Sequence, residues 1–284
     1  MKKLGIIGSQ SKHAEFFGSI FNVQKIFPGY AADFIFADDE PERIPHVRET
    51  ARIPNVCHSV EELIELSDAV LLTTRLAGSH FDRAMQCINH NKPVFIDKPF
   101  TLTVEEALAI KAASLEKAIP VVGGSTLCFD PQLAQFIEER KSPTTGIIAY
   151  RADVDSPYGG YRFYGSHLTD LCALVFGKLA VSVRVVQDKG TVTTTVNYPT
   201  GPVFLHSQPE FDMPLVLFED GSLLKQVMLD DQNCYLNGMR AFVQAMEDGT
   251  PISSHLERRI FSVQLLEAIM TSIETGDEVS VTKL

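Results

Sequence analysis

The sequence has no run of basic residues and no surplus of them: 25 Lys and Arg stand against 36 Asp and Glu, a formal charge of -11. Such a chain repels phosphate backbones and anionic lipid headgroups, so nucleic acid is not an expected partner. It also lacks any C-x-x-C pair. The five cysteines, Cys57, Cys87, Cys128, Cys172 and Cys234, are scattered and odd in number. Neither a zinc site nor a disulfide framework is indicated, no metal is expected, and the thiols read as those of a reduced cytoplasmic protein. No apolar run is long enough to cross a bilayer, and Met1-Lys2-Lys3-Leu4-Gly5-Ile6-Ile7-Gly8 is basic without the apolar stretch of a signal peptide. No membrane partner and no targeting are therefore expected. Internal repeats, low-complexity tracts and long linkers are missing too. What remains is ample for a packed core, since 45% of the 284 residues are hydrophobic and 21% charged, and the length suits two ordinary domains.

The N-terminal part alternates strand and helix. Leu4 to Ile7 form an apolar strand stopped by Gly8, and Ser9-Gln10-Ser11-Lys12 leads into a helix with a stripe of Phe16, Phe17, Ile20 and Phe21. A strand from Ala32 to Ala37 ends in Asp38-Asp39, followed by an exposed helix from Glu42 to Arg52. Further units are a helix Val60 to Leu66, a strand Ala69 to Leu72, a helix from about Ser79 to Ile88, the strand ending at Asp97-Lys98, a helix Val104 to Lys117 and a strand at Val121-Val122. This is the pattern of a doubly wound parallel sheet, whose right-handed crossovers place Gly8, Asp38, Thr73-Thr74 and Asp97-Lys98 along one edge. Ligands bind at that edge: the first turn receives a dinucleotide diphosphate and an acid closing the second strand bonds ribose hydroxyls. The G-x-G-x-x-G fingerprint is degenerate, however, because Gln10 and His13 replace its second and third glycines. Pro93-Val94-Phe95-Ile96-Asp97-Lys98-Pro99 stands out as a buried strand delivering a cation beside an acid, a pairing suited to acid/base work. Its bland alternative is a surface Lys-Pro turn.

After Gly123-Gly124 the pattern changes. Helices are expected at Pro131 to Arg140 and Ser166 to Phe176, and a strand at Ile147 to Val154. Strands follow at Val181 to Val186, Thr191 to Tyr198, Val203 to His206, Leu215 to Phe218 and Ser222 to Val227. Turns at Asp188-Lys189-Gly190 and Glu219-Asp220-Gly221 are hairpin signals, so this sheet should be largely antiparallel. Two helices capped by Gly249 and Gly276 and a short strand, Val279 to Val281, close the chain. The expected architecture is α/β: a Rossmann domain over residues 1–122, then an α+β substrate-binding and dimerisation domain with a largely antiparallel open sheet over 123–284. A flat sheet of this kind needs its outer face covered, which points to a homodimer or higher homo-oligomer.

With these residues in place, the chain resembles the Gfo/Idh/MocA family of nicotinamide-dependent oxidoreductases nearly end to end. Asp97-Lys98-Pro99 is similar to the family's Glu-Lys-Pro with a shorter acid; Ser67-Asp68-Ala69-Val70 to His80-Phe81 resembles the strand and loop beside the nicotinamide ribose. Gly159-Gly160 with His167 and Asp170 resembles the glycine pair and substrate-side helix, and Glu267-Ala268-Ile269 with Ser272, Gly276 and Val279 the usual ending. The resemblance implies hydride transfer between NAD and a secondary alcohol of a sugar or cyclitol. Gly8, Ser9, Gln10, Ser11, Asp38, Thr73, Thr74, Arg75, His80, Asp97 and Lys98 are then the candidate cofactor residues, and Lys98, His167 and Tyr164 the candidate catalytic ones. Three departures stand out: Phe163 where the family has aspartate, Arg75 where proline is usual, and Cys128 where many members have arginine.

Each role has a competitor. His167 shares a helix face with Leu171 and Val175, as a structural histidine would, but has the better intrinsic pKa for a base, with Lys98 polarising the oxygen. Tyr164 takes over from the missing acid or lines an apolar wall. The Asp38 carboxylate repels a 2′-phosphate, favouring NAD over NADP, unless Arg75 offsets it. Phe163 also fits an NAD-binding sensor or partner subunit without turnover, and Gln10 and His13 fit a protein that has lost the cofactor.

Overall fold

The computed structural model describes residues 1–139, 143–211, 214–219 and 222–281. Two compact units emerge: one comprises Met1–Thr101, Glu106–Gly123 and Tyr235–Leu256, the other Leu102–Glu105, Gly124–Cys234 and Glu257–Leu284.

The first unit is built on a six-stranded sheet, β1 (Lys2–Ile7), β2 (Tyr30–Phe36), β3 (Asn55–Val56), β4 (Ala69–Leu72), β5 (Val94–Ile96) and β6 (Val121–Gly123), in the order β3-β2-β1-β4-β5-β6. Every pairing is parallel. Its helices are α1 (Lys12–Asn22), α2 (Ile44–Ala51), α3 (Val60–Leu66), α4 (His80–Asn89) and most of α5 (Val104–Lys117). β1, β4 and β5 read as continuous apolar runs because both faces of a parallel sheet are covered: Leu4, Ile6, Ile7, Val70, Leu71, Leu72, Val94, Phe95 and Ile96 are all fully buried. The stripe of α1 differs from the expected one at Phe16, which is exposed and stacks on Tyr235, while Ala14, Phe17, Ile20 and Phe21 face inward. The expected helix at 42–52 opens as a one-turn 3-10 helix, Pro41–Arg43, before α2, which buries Val47 and Ala51. The two-residue β3 is too short to leave a periodic signal.

The second unit holds α6 (Pro131–Glu138), β7 (Thr145–Tyr150), α7 (Arg162–Val175), β8 (Ser182–Asp188), β9 (Thr191–Tyr198), β10 (Gly201–Ser207), β11 (Pro214–Glu219) and β12 (Ser222–Met228). With β13 (Val279–Ser280) these strands form a seven-stranded sheet, β12-β11-β7-β10-β9-β8-β13, antiparallel except for β7 and β10. The hairpin at Lys189-Gly190 has two residues with positive φ, 47° and 81°, the twist-matched two-residue turn. The other expected turn centres on Asp220-Gly221, outside the described residues. α7 begins a full turn earlier than expected, so Phe163 and Tyr164 are helical, and it is buried nearly all round.

The last two helices are α8 (Asp231–Asp248) and α9 (Ser253–Thr275), ended by Gly249 and Gly276 at φ 65° and 76°. From Tyr235 to its end α8 belongs to the first unit, where Phe242 packs edge-on against Phe95. The linear division at 122/123 assigns that segment to the second domain; tertiary packing places it with the first, because its apolar face is covered there. Among the described residues no helix is long and apolar enough to cross a membrane.

Candidate functional site

The carboxyl edge of the first sheet gathers the residues that sequence order scatters. Gly8 follows β1, Asp38 follows β2, Thr73 follows β4 and Asp97 follows β5, all parallel. Backbone bonds extend the sheet into these loops: Gly8 donates to Phe36 at 2.9 Å, Thr73 to Ile7 at 2.8 Å and Asp97 to Leu72 at 3.0 Å. Thr73 Oγ1 also reaches the carbonyls of Ile7 and Gly8, both at 3.1 Å. Gly8 has φ 110°, and a Cβ there would lie 2.7 Å from the Thr74 amide nitrogen, so this glycine is required by the close approach of the two loops.

Three groups of contacts shape the edge. Asp39 Oδ1 accepts from the Ser9 amide at 3.0 Å, Asp39 Oδ2 from the Gln10 amide at 3.4 Å, and Ser9 Oγ donates to the Glu40 carbonyl at 2.6 Å. Gln10 Nε2 binds Glu40, and Arg43 donates to the Gln10 carbonyl and to Glu15. Ser11 caps α1 by accepting from the His13 amide. Asp38, read in the sequence as the ribose acid, accepts from Arg83 of α4 through both oxygens, at 2.5 and 2.7 Å, with its own side chain 56% exposed.

The strand-end acid is more deeply held. Asp97 is buried, its Oδ2 lies 2.6 Å from Nδ1 of His13, and its Oδ1 has no hydrogen-bond partner. Burial pushes its pKa up, but His13 and then Lys98 pull harder, so its carboxyl sits below the usual range. The His13 ring lies against Phe17 and Tyr235, with centroids 5.4 and 4.9 Å away. Lys98 itself is 4% exposed, far from the bland surface turn. His80 is fully buried, with Nδ1 2.7 Å from the Pro99 carbonyl and Nε2 2.9 Å from that of Thr74, so it ties the β4 and β5 loops together. Burial lowers its pKa despite the upward pull of those carbonyls. Arg75 is half-buried in the same loop.

A separate polar cluster lies within the second unit. His167 is buried, its Nδ1 2.7 Å from Ser125 Oγ, and its ring stacks on Tyr164 at 5.6 Å and meets Tyr150 edge-on at 5.2 Å. Tyr164 is therefore beside His167, with the Arg151 guanidinium 5.5 Å over its ring. Phe163 turns instead toward Tyr158 and Tyr164, with centroids at 5.0 and 4.7 Å. Asp170 accepts from the Ser125 amide at 2.5 Å and pairs with Arg259 Nη1 at 2.6 Å. Cys128 faces Arg259, and burial pushes its thiol up to about 11, which leaves it an inert side chain at neutral pH.

Sequence reasoning missed His13, Asp39, Arg83, Ser125 and Arg259. His13 and Asp39 carried a signal, a departure from the glycine pattern and a second acid. Arg83 stood on the buried face of α4 beside His80, Ala84, Cys87 and Ile88. Ser125 carried none. All five cysteines are free, and among the described residues no group of His, Cys, Asp and Glu could hold a metal ion.

Residues 2–122 match the oxidoreductase family with the NAD-binding Rossmann fold, GFO_IDH_MocA. Over these residues the chain is similar to the Gfo/Idh/MocA family. The chain is 26% identical over 118 residues to scyllo-inositol 2-dehydrogenase (NADP(+)) IolW of Bacillus subtilis strain 168, covering 41% of this chain and 31% of the relative. It is also 26% identical over 138 residues to the uncharacterized oxidoreductase YhhX of Escherichia coli K12, covering 42% and 39%. The matches thus span about a third of the length of these relatives. Over its whole length the chain superposes on scyllo-inositol dehydrogenase from Lactobacillus casei with bound NAD(H) and scyllo-inositol, at a TM-score of 0.83 and 13% identity, covering 100% of each chain. At that identity the likeness is one of fold, and it extends the architecture of that dehydrogenase to the antiparallel second sheet.

Proposed function

We propose that this protein is a nicotinamide-dependent dehydrogenase acting on a secondary alcohol of a cyclitol or sugar. The observation that carries the reading is Lys98: a lysine 4% exposed at the carboxyl end of a central parallel strand, beside a buried carboxylate with an orphaned oxygen. A buried ammonium is costly unless it is paired, as it is here with Asp97, and this edge is where α/β sheets bind ligands. The residues fit a dinucleotide in two respects. Asp97 Oδ1 and Gln10 Oε1 are buried acceptors without donors, which ribose or amide groups would supply, and Gly8 lets the β1 and β4 loops close on one another.

When bound, the nicotinamide supplies the hydride acceptor. Gly8, Ser9, Gln10, Ser11, Thr73, Thr74, Arg75, His80 and Asp97 form or support its seat in this proposal, and Asp38 meets the adenosine ribose. The negative pair Asp38 and Asp39 disfavours a 2′-phosphate, so NAD is the proposed cofactor and NADP the lesser one. Lys98 polarises the substrate oxygen, His167 takes the hydroxyl proton, and Tyr164 orders the ring of His167 by stacking. The proposed division of labour is cofactor binding by residues 1–122 and substrate binding and dimerisation by 123–284. Ile147 and Phe204, directly paired on β7 and β10, are 39% and 36% exposed and form the proposed homodimer face. Free cysteines suit a cytoplasmic setting.

The test is the thermal shift of the purified protein with NAD, NADH, NADP and NADPH, followed by a polyol screen. A shift with NAD or NADH, lost in Asp38→Asn, and turnover of a cyclitol support the reading; no shift with any nucleotide defeats it. A second reading is favoured by Phe163, whose ring takes the place of the family acid: NAD binding without turnover. It predicts the same shifts and no substrate in the screen.

A further inference from the structure

We propose that Ser125 is the positioning residue for His167, held in place by a buried relay that runs from Arg259 through Asp170. This rests on the reading of His167 as the group that handles the hydroxyl proton. In the family pattern an acid stands four residues before the histidine; here that place is Phe163, whose ring packs on Tyr158 and Tyr164 and can accept nothing. The His167 ring also packs on two aromatic rings, those of Tyr150 and Tyr164. Ser125 Oγ, 2.7 Å from Nδ1, is a buried polar atom placed to orient the imidazole.

The relay is over-determined. Ser125 is fully buried, and its amide donates to Asp170 Oδ2 at 2.5 Å. The same oxygen lies 2.6 Å from Arg259 Nη1, and the Asp170 and Arg259 side chains are only 4% and 1% exposed. Gly124 makes room for this arrangement: it has φ 80°, and a Cβ there would lie 2.3 Å from Arg259 Nη1 and 2.7 Å from Asp170 Oδ2. The charges of Asp170 and Arg259 offset one another, and the group this pair presents to His167 is the fixed hydroxyl of Ser125.

The consequence is a tautomer. For His167 to take a proton at Nε2, its neutral ring must carry hydrogen on Nδ1 and donate it to Ser125 Oγ. That same bond persists when Nε2 gains the proton, because a hydroxyl oxygen accepts from Nδ1–H in either state. Ser125 therefore serves both ends of the proton transfer without moving.

The experiment is NMR of the full chain labelled with 15N-histidine, the His167 signals being identified with His167→Gln, together with steady-state kinetics. Expected for the wild type is a neutral ring protonated at Nδ1. Ser125→Ala should shift it toward the Nε2–H tautomer and lower kcat about 10- to 100-fold with the cofactor KM unchanged, and Ser125→Thr, which keeps the hydroxyl, should restore both. A wild-type ring protonated at Nε2, or a tautomer unaffected by Ser125→Ala, overturns the proposal. Should Ser125→Ala fail to fold, the wild type and Ser125→Thr decide it by the same criterion. The expected tautomers in a protein that turns over no polyol would leave the positioning role standing and defeat the proposed function.

Discussion

The Asp38–Arg83 and Asp170–Arg259 pairs are both acid–guanidinium contacts at about the same distance, yet they do different work. In the Rossmann unit Asp38 is more than half exposed, so water already solvates it and the contact with Arg83 adds little. In the second unit Asp170 and Arg259 are almost wholly removed from water, and neither can lose the other without leaving a bare charge in the interior. The first pair is an adjustable feature at the mouth of a ligand edge. The second is a fixed strut beneath His167. At the mouth of the edge one partner, Asp38, stays wet while Arg83 is largely covered; beneath His167 both partners are buried and matched.

Four substitutions would break or sharpen this contrast. Lys98→Ala should lower kcat about 10²- to 10⁴-fold, the range of a lost acid/base group, while the dinucleotide thermal shift survives; unchanged turnover would remove Lys98 from the mechanism. Arg259→Met should cost about 3–5 kcal/mol in urea unfolding because Asp170 is left buried and unmatched, and a loss near zero would mean that Asp170 becomes protonated or hydrated instead.

The third change tests pH. His80 has a lowered folded pKa, so the unfolded chain binds the proton first and stability falls as pH drops through the ordinary histidine value of 6.5. His80→Asn should flatten that part of the profile in thermal unfolding followed against pH. The slope due to Asp97 must remain, since its folded pKa is depressed: its contribution is present above the ordinary value of 3.8 and is lost as pH falls through the folded value. The smallest effect belongs to Arg83→Met, which should change stability by less than about 1 kcal/mol; a larger loss would show that the mouth of the edge is as rigid as the strut.

Legibility in the sequence followed the range of the forces. α3, β4, α5 and β9 match their expected bounds because periodicity and flanking turn residues act over a few positions. The convergence of Gly8, Asp38, Thr73 and Asp97 was legible too, since a parallel sheet with right-handed crossovers has only one edge on which strand ends can meet. Phe16 and the early start of α7 were not, because an aromatic ring on Tyr235 and burial on every side are decided by neighbours distant in the chain.

By itself, then, the sequence determined the order of strands and helices, the two sheet types and the place of Lys98 at a strand end, all consequences of local pattern and backbone hydrogen bonding. Only the tertiary structure decided that His13 would hold Asp97, that Arg83 would take Asp38, that Tyr235 to Leu256 would join the first unit, and that Ser125 would meet His167. Each of those contacts joins residues separated by dozens of positions, and no local propensity distinguishes the serine or arginine that makes one from those that face water.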